Sequence, residues 1–301
     1  MSIWPRVLIL GSGGQVGHEL IKSFGGLAEV IACDRNTLDL TAPDKIREKV
    51  RNAAPDLILN AAAYTAVDRA ESEPDLATAI NTNAPAILAE EALRAGALLV
   101  HYSTDYVFDG TKSGPWTEDD ATNPRNAYGA SKLAGEKAIA QVGGQYLIFR
   151  TSWVYGPYGK NFLFTMLRLG RERDELKVVD DQVGSPTTSI ELASATNTIA
   201  SGILSGDFGA PSAWAGLYNM TCSGSVSWCG FARAIFERAP KLLDGKMPTV
   251  HPIKTSEFPT PAARPHNSVL SNEKLFQRFG VRLAAWEPAL DEVLKLVTQS
   301  K

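Results

Sequence analysis

Arg6-Val-Leu-Ile-Leu-Gly-Ser-Gly-Gly-Gln-Val-Gly17 decides how the chain is read. Its first part, Arg6–Leu10, is a run of branched aliphatics that stops at a glycine, the pattern of a short strand buried on both faces. Gly11, Ser12, Gly13, Gly14 and Gly17 then form a turn, from which a helical stretch, Gln15–Phe24, departs. Strand, glycine turn and helix in that order bring free helix N–H groups beside a sharp bend, a place suited to an anionic pyrophosphate. Val16 breaks the commoner GxGxxG spacing, and the spacing that fits is GxxGxxG through Gly11, Gly14 and Gly17.

Outward from this turn, strand and helix alternate. Glu29–Cys33 is a second strand closed by Asp34, Pro43–Asn52 a helix, and Asp56–Asn60 a third strand. Pro74–Ala95 is a long helical stretch that Pro85 kinks or breaks. Ala97–Tyr102 is a fourth strand, Asn126–Gln141 a helix and Gln145–Arg150 a fifth strand. Short links between alternating elements require crossovers, so the expected fold class is α/β, a doubly wound parallel sheet of Rossmann type. Residues 1–154 are expected to form this dinucleotide-binding domain. Beyond it the pattern loosens. Asn161–Arg173, Ser189–Ser201, Trp228–Arg238 and Glu287–Val297 are helical, residues 204–216 read as loop, and the proline-rich 255–267 as extended and irregular. Residues 155–301 are expected to form a smaller C-terminal substrate-binding lobe, with room for segments interleaved into the first domain.

A formal net charge of -3 without a basic block disfavours nucleic acid or an anionic membrane as partner. Three unpaired-looking cysteines, Cys33, Cys222 and Cys229, argue against a disulfide scaffold, and four scattered histidines against a zinc enzyme. The apolar run after Met1 is too short for a secretion signal, and no apolar stretch is long enough to span a bilayer, so a cytoplasmic address is expected.

Chemistry concentrates at the expected carboxyl ends of the strands, which face the ligand crevice in such a sheet. Asp34 can accept hydrogen bonds from an adenosine ribose, whereas its neighbour Arg35 suits a 2′-phosphate, which leaves NADH and NADPH open. Small residues in Asn60-Ala-Ala-Ala-Tyr64 let a flat ring or a ribose lie against the sheet edge. The fourth strand ends in His101-Tyr-Ser-Thr104-Asp105-Tyr106, where Thr104 can donate to a carbonyl oxygen. Tyr128 and Lys132 stand four apart and share one helix face. An ammonium near a phenol favours the phenolate, and a phenol tuned toward neutrality is a good general acid for a carbonyl being reduced.

In carrying GxxGxxG, a threonine and YxxxK in this order, the chain resembles the extended short-chain dehydrogenase/reductase family. It is most similar to the branch that reduces a dTDP-linked 4-keto-6-deoxysugar. The resemblance is carried by Gly11–Gly17, Asn60–Asp68, His101–Phe108, Tyr128–Glu136, Arg150–Tyr155, Asp181–Thr187 and Pro259–Ser268. It implies a nucleotide-sugar substrate, dTDP-4-keto-6-deoxy-L-mannose, reduced at C4 by NADPH or NADH on the way to a surface polysaccharide, by a monomer or homodimer. It implies that Tyr128 gives a proton to O4 with Lys132 as its partner, and that Thr104 and Asp105 contact the sugar. Trp153 would line the sugar pocket, and Arg264 and Asn267 the nucleotide-diphosphate side. Gly11, Ser12, Gly13, Asp39, Leu40, Ala62, Ala63 and Tyr64 would contact the cofactor. Leu10 departs from the threonine many members carry before the first glycine. Some relatives link subunits through magnesium; Glu19 and Glu191 hold matching positions without completing a ligand set, so Mg2+ is left open and no metal residue is assigned. The competing readings are a related nucleotide-sugar epimerase or dehydratase and a non-catalytic dinucleotide-binding regulatory subunit. Tyr106, where a dehydratase carries an acid after Thr-Asp, disfavours the former, and the intact Thr104, Tyr128 and Lys132 the latter.

Overall fold

The structure is a computed structural model that describes residues 5–299; residues 1–4, where the amino-terminal reading begins, and 300–301 lie outside the described residues. The expected strands form: β1 (Arg6–Leu10), β2 (Glu29–Cys33), β3 (Leu57–Asn60), β4 (Leu98–Thr104) and β5 (Tyr146–Thr151). A further strand, β6 (Gly216–Asn219), completes a six-stranded sheet in the order β6-β5-β4-β3-β1-β2. Every neighbouring pair in it is parallel. The order reverses at β1, whose two neighbours are β2 on one side and β3 on the other. The crevice beyond the carboxyl ends of β1 and β3 is thus the topological switch point.

The helices on the amino-terminal side are α1 (Gln15–Phe24), α2 (Pro43–Ala53), α3 (Val67–Ala70), α4 (Pro74–Thr78), α5 (Ala84–Ala95) and α6 (Ala127–Val142). They are followed by α7 (Phe162–Glu172) and α8 (Ser189–Ser205). Alternation along β1 sets which helices cover which face. Val7 and Ile9 pack with Leu20 and Phe24 of α1 and Leu192 and Ile199 of α8. Leu8 and Leu10 pack with Ile46 and Val50 of α2, Leu88 of α5 and Ile139 of α6. Both faces are therefore buried, as an all-parallel sheet requires.

Two departures from the sequence reading, and one break that it expected, stand out. Residues 204–216, expected as loop, continue α8 to Ser205, add a one-turn helix at Pro211–Trp214 and enter β6 at Gly216. The long stretch around Pro85 divides into α4, a π-helical turn at Ala79–Asn83, and α5. Proline has no N–H for the i→i−4 ladder, and the wider turn absorbs the defect. Glu175–Val179 and Thr249–Ile253 pair in parallel as a small separate sheet.

An ion pair ties the neighbouring strands β4 and β5 to α6. Arg150 of β5 meets Glu136 of α6 through Nε–Oε1 at 2.9 Å and Nη2–Oε2 at 2.6 Å, and Ser103 of β4 donates to the same Oε1 at 2.5 Å. Both charges are about as buried as the apolar core, at 4% and 5% exposure. Removing one partner strands a buried charge, which costs about 3–5 kcal/mol. Arg150→Met is expected to lower the unfolding free energy by about that amount in urea titrations, far beyond the effect of breaking the exposed Arg168–Glu172 pair.

Candidate active site

The glycine turn is held by contacts that leave no room for side chains. Gly11 has φ +79°, and a Cβ there would lie 2.6 Å from the Ala62 nitrogen; a Cβ at Gly17 would lie 2.1 Å from the Gly11 carbonyl oxygen. The N–H groups of Gly11 and Ser12 both donate to the Cys33 carbonyl, which fastens the turn to β2. Gly14 caps α1 without a side-chain bond, and the first turn of that helix carries no acidic residue. The positive end of α1 thus meets no acidic residue of its own first turn, and the cradle fits the pyrophosphate of a dinucleotide.

Asp34 lies beside this turn, its Cβ 3.8 Å from where a Cβ on Gly13 would be. Its Oδ1 accepts from Asn36 N, Thr37 N and the Thr37 hydroxyl. These bonds, with Thr37 foremost, hold the carboxyl below its ordinary value. Arg35 is exposed next to it. Asp39 is exposed and binds Thr41 N and Oγ1, while Leu40 packs half-buried against the core.

Ala62, Ala63 and Tyr64 leave the end of β3 toward α3. A residue the sequence reading overlooked fixes their path. Asn81, fully buried in the π-helical turn, accepts from Tyr64 N at 2.9 Å and donates to Tyr64 O at 3.1 Å and to Ser131 Oγ at 3.0 Å. Its sequence cue is Pro85 four residues on, which leaves the turn free to widen. The Tyr64 phenol binds Glu73.

Thr104, Asp105 and Tyr128 come together at the carboxyl end of β4. The Thr104 hydroxyl accepts from Tyr106 N at 3.2 Å, donates to Asp105 Oδ1 at 3.1 Å and makes hydrogen-bonding contact with the Tyr128 phenol. Burial raises the Tyr128 pKa to about 12 against the help of Thr104. Burial likewise raises Asp105 to about 6, opposed by the Ser268 and Thr104 hydroxyls, and its Oδ2 is a buried oxygen without a hydrogen-bond partner among the described residues. Asn126 caps α6 through Gly129 N at 2.7 Å and donates to Ala263 O at 2.8 Å, laying the proline-rich segment over the site.

Lys132 occupies the same face of α6 as Tyr128, as the spacing requires, but its ammonium group is directed elsewhere. Nζ lies 2.6 Å from Tyr102 O and 3.0 Å from His101 Nε2, deeper along β4. Burial, with Asp105 aiding and Thr104 opposing, therefore sets the Tyr128 pKa, and Lys132 is not among the groups that act on it. Lys132 itself is lowered to about 7 by burial, with Glu136 opposing.

The remaining candidates spread along the rim. Trp153 has φ +48°, an unusual conformation for a bulky residue, and stacks on Trp228 with centroids 3.4 Å apart over Gly184. Trp228 was not singled out in the sequence. Arg264 pairs with Asp68 at 2.9 Å. Asn267 clips the carbonyls of Lys112 and Gly114, both at 2.8 Å. It lines a cleft of about 430 Å³ with His266 and the 110–115 loop, next to Ser268 and hence to Asp105. Among the described residues no group of three or more His, Cys, Asp or Glu could hold a metal ion. Glu19 neighbours Lys22 at 3.5 Å, and Glu191 accepts from Ala284 N. No helix of the described residues is long and apolar enough to cross a membrane.

A glycine cradle at the switch point, with Thr104 and Tyr128 converging one strand away, defines an oxidoreductase of the extended short-chain dehydrogenase/reductase class. Comparison with known proteins narrows this: residues 5–299 match the family model described as RmlD substrate binding domain, and the chain belongs to that family. It is 48% identical over 289 residues to the dTDP-4-dehydrorhamnose reductase of Burkholderia thailandensis, covering 95% of this chain and 96% of that one. The Escherichia coli K12 dTDP-4-dehydrorhamnose reductase is 44% identical, with 96% and 97% covered. The solved structure of dTDP-4-dehydrorhamnose reductase from Bacillus anthracis in complex with NADP superposes with a TM-score of 0.89 at 36% identity, over 98% of this chain and 100% of that one.

Asp105 offers a test of how dry the site is. Its carboxyl moves from 3.8 to about 6 on folding, so between those values the folded protein holds the extra proton. Its contribution is therefore most favourable below about pH 4 and is lost as pH rises through about 6. Asp105→Asn is expected to gain on the parent by about 3 kcal/mol between pH 4 and pH 7 in urea unfolding. A gap that does not change with pH would show an open, solvated carboxylate.

Proposed function

We propose that this protein reduces the C4 keto group of dTDP-4-dehydro-L-rhamnose to dTDP-L-rhamnose with NADPH or NADH, in nucleotide-sugar and surface polysaccharide biosynthesis. The observation that carries the reading is the contact of the Tyr128 phenol with the Thr104 hydroxyl at the end of β4. It stands beside the cradle of a family whose relatives named above are dTDP-4-dehydrorhamnose reductases.

In this reading residues 1–154 bind the dinucleotide and 155–301 form the substrate lobe, with α8 and β6 interleaved into the first domain. Gly11, Ser12, Gly13, Gly14 and Gly17 hold the pyrophosphate. Asp34, Asp39 and Leu40 serve the adenosine end, and Ala62, Ala63, Tyr64, Tyr128 and Lys132 the nicotinamide end. The bound nicotinamide supplies a hydride to C4. Thr104 turns its one hydroxyl hydrogen from Asp105 Oδ1 to O4 and orients the ketone. Tyr128 transfers its phenolic proton to O4 as negative charge develops there. Burial keeps this phenol protonated at neutral pH, so the proton is in place when it is needed. Asp105, Trp153, Arg264 and Asn267 are the substrate-side residues. The buried Asp105 Oδ2 is available to a sugar hydroxyl.

Tyr106, edge-on to Tyr128 at 5.6 Å, stands where an eliminating enzyme needs a carboxylic acid, which favours net reduction over dehydration. The reading carries a cytoplasmic address, which three free, buried cysteines suit, and a monomer or homodimer as the working form.

The purified protein, given dTDP-4-keto-6-deoxysugar made in situ, is expected to oxidise NADPH or NADH and to yield dTDP-L-rhamnose, identified by NMR. A product that is epimerised but not reduced would overturn the assignment. Tyr128→Phe is expected to lower kcat by about 10²–10⁴ while leaving dinucleotide affinity within about twofold. Parental turnover in that variant would remove Tyr128 as the proton donor.

A further inference from the structure

Trp153 follows β5 with φ +48°, a left-handed conformation that a bulky residue keeps only where its surroundings hold it there. Two neighbours do so. Gly184 comes so close that a Cβ on it would lie 2.5 Å from Trp153 Cε2. Trp228 lies parallel to the indole, with the planes 8° apart and the ring centroids 3.4 Å apart. At that separation the rings are in contact with no room for lateral offset, whereas aromatic pairs left to themselves prefer an offset or edge-on approach. The rings are therefore pressed together by the parts that carry them.

Those parts form one unit. Val183–Gly184 pairs antiparallel with Val226–Ser227, and Trp228, the next residue, opens the helix Trp228–Arg238. Ser227 fixes the start of that helix. Its hydroxyl donates to Asp180 Oδ1 at 2.5 Å and accepts from Gly230 N at 2.9 Å. Phe162 packs against Trp228 at 4.6 Å and stacks in turn on the buried Phe231, so the aromatic column reaches the core. The same short strand binds the proline-rich segment: Val183 N donates to His266 O, and Ser268 N to Val183 O, both at 2.8 Å. Ser268 is the residue whose hydroxyl reaches Asp105. The frame that sets the indole is thus continuous with the one that sets the Asp105 side of the crevice.

We propose that Trp228 is a positioning residue, the backing plate that keeps the Trp153 indole forward at the rim, where it presents an apolar wall to the sugar. The proposal rests on the reading of Trp153 as a substrate-side residue. Trp228 acts only through Trp153. Both indoles are half-buried, neither sealed in the core. Shortening Trp228 opens space beside a strained residue, and Trp153 then sinks into it. The glycine cradle is held by Cys33 and Ala62 instead, so dinucleotide binding stands.

The test has a spectroscopic arm and a kinetic arm. The chain has six tryptophans, so a ¹⁵N-tryptophan sample gives a small set of indole N–H signals, and that of Trp153 is identified by its loss in Trp153→Leu. The ring current of the facing indole displaces this signal, and Trp228→Leu is expected to shift it. A Trp153 signal that stays in place would overturn the proposal. In assays of NADPH oxidation, Trp228→Leu is expected to raise KM for the keto-sugar about tenfold, with kcat and dinucleotide affinity within about threefold. Trp228→Phe, which keeps an aromatic plate, is expected to recover most of that loss. The double variant Trp153→Leu, Trp228→Leu is expected to match Trp153→Leu alone, because a residue that acts through another adds nothing once the other is gone. A further rise in KM in the double variant, or dinucleotide affinity that falls along with substrate affinity in a folded Trp228→Leu, would sink the idea. Should Trp228→Leu fail to fold, Trp228→Phe decides: its smaller ring is expected to shift the Trp153 signal, and no shift overturns the proposal. An unaltered KM in Trp153→Leu would overturn the reading of Trp153 and leave the spectroscopic arm standing, so the two failures are separable.

Discussion

Helix α6 can rest against the turn that follows β4 and against the π-helical turn because two of its positions lack side chains. A Cβ at Gly129 would lie 2.2 Å from the Tyr106 carbonyl oxygen, and one at Gly135 would lie 2.1 Å from that of Asn81. This approach puts three residues of α6, each one turn from the next, onto the polar atoms of one strand. Tyr128 reaches Thr104, Lys132 reaches His101 and Tyr102 O, and Glu136 reaches Ser103. The site is thus a seam between a helix and a strand, and its inner end is locked by the Glu136–Arg150 pair. The opposite side of the crevice depends on the same device at α1, where Gly17 sits on the Gly11 carbonyl.

Periodicity read the first half of the chain well because its strands are buried on both faces and its helices on one. Arg6–Leu10, Gln15–Phe24 and Glu29–Cys33 carry their own pattern, and the structure returns them with the same bounds. β6 carried no such pattern. Its four residues, Gly216–Asn219, follow a stretch of small residues and pair only at a sheet edge, with β5. The parallel pairing of Glu175–Val179 with Thr249–Ile253 joins segments far apart in sequence, and no local pattern encodes that contact. At the candidate site, residue types and spacing located Thr104, Asp105 and Tyr128 together. They did not reveal Asn81, Asn126 or Trp228, whose parts are played through distant partners: Tyr64, Ala263 and Trp153. Nor could spacing tell where a long side chain ends. Tyr128 and Lys132 share a helix face, but which atoms Nζ meets is decided by β4, an element the YxxxK pattern does not contain.

Burial moves each titratable group at the seam toward its neutral form. Asp105 rises to about 6, Tyr128 rises to about 12 and Lys132 falls to about 7. One turn away, Glu136 and Arg150 form a buried ion pair in which each ion satisfies the other. For carbonyl reduction this distribution has a physical consequence. A ketone is a weak hydrogen-bond acceptor that becomes a strong one as charge develops on its oxygen. Neutral donors, a phenol and a threonine hydroxyl released from Asp105, bind the developing oxyanion far better than the ketone. A permanent cation in contact with the ketone would bind substrate and transition state more evenly and accelerate less. A phenol that burial keeps protonated holds the largest electrostatic gain for the moment the oxygen acquires charge.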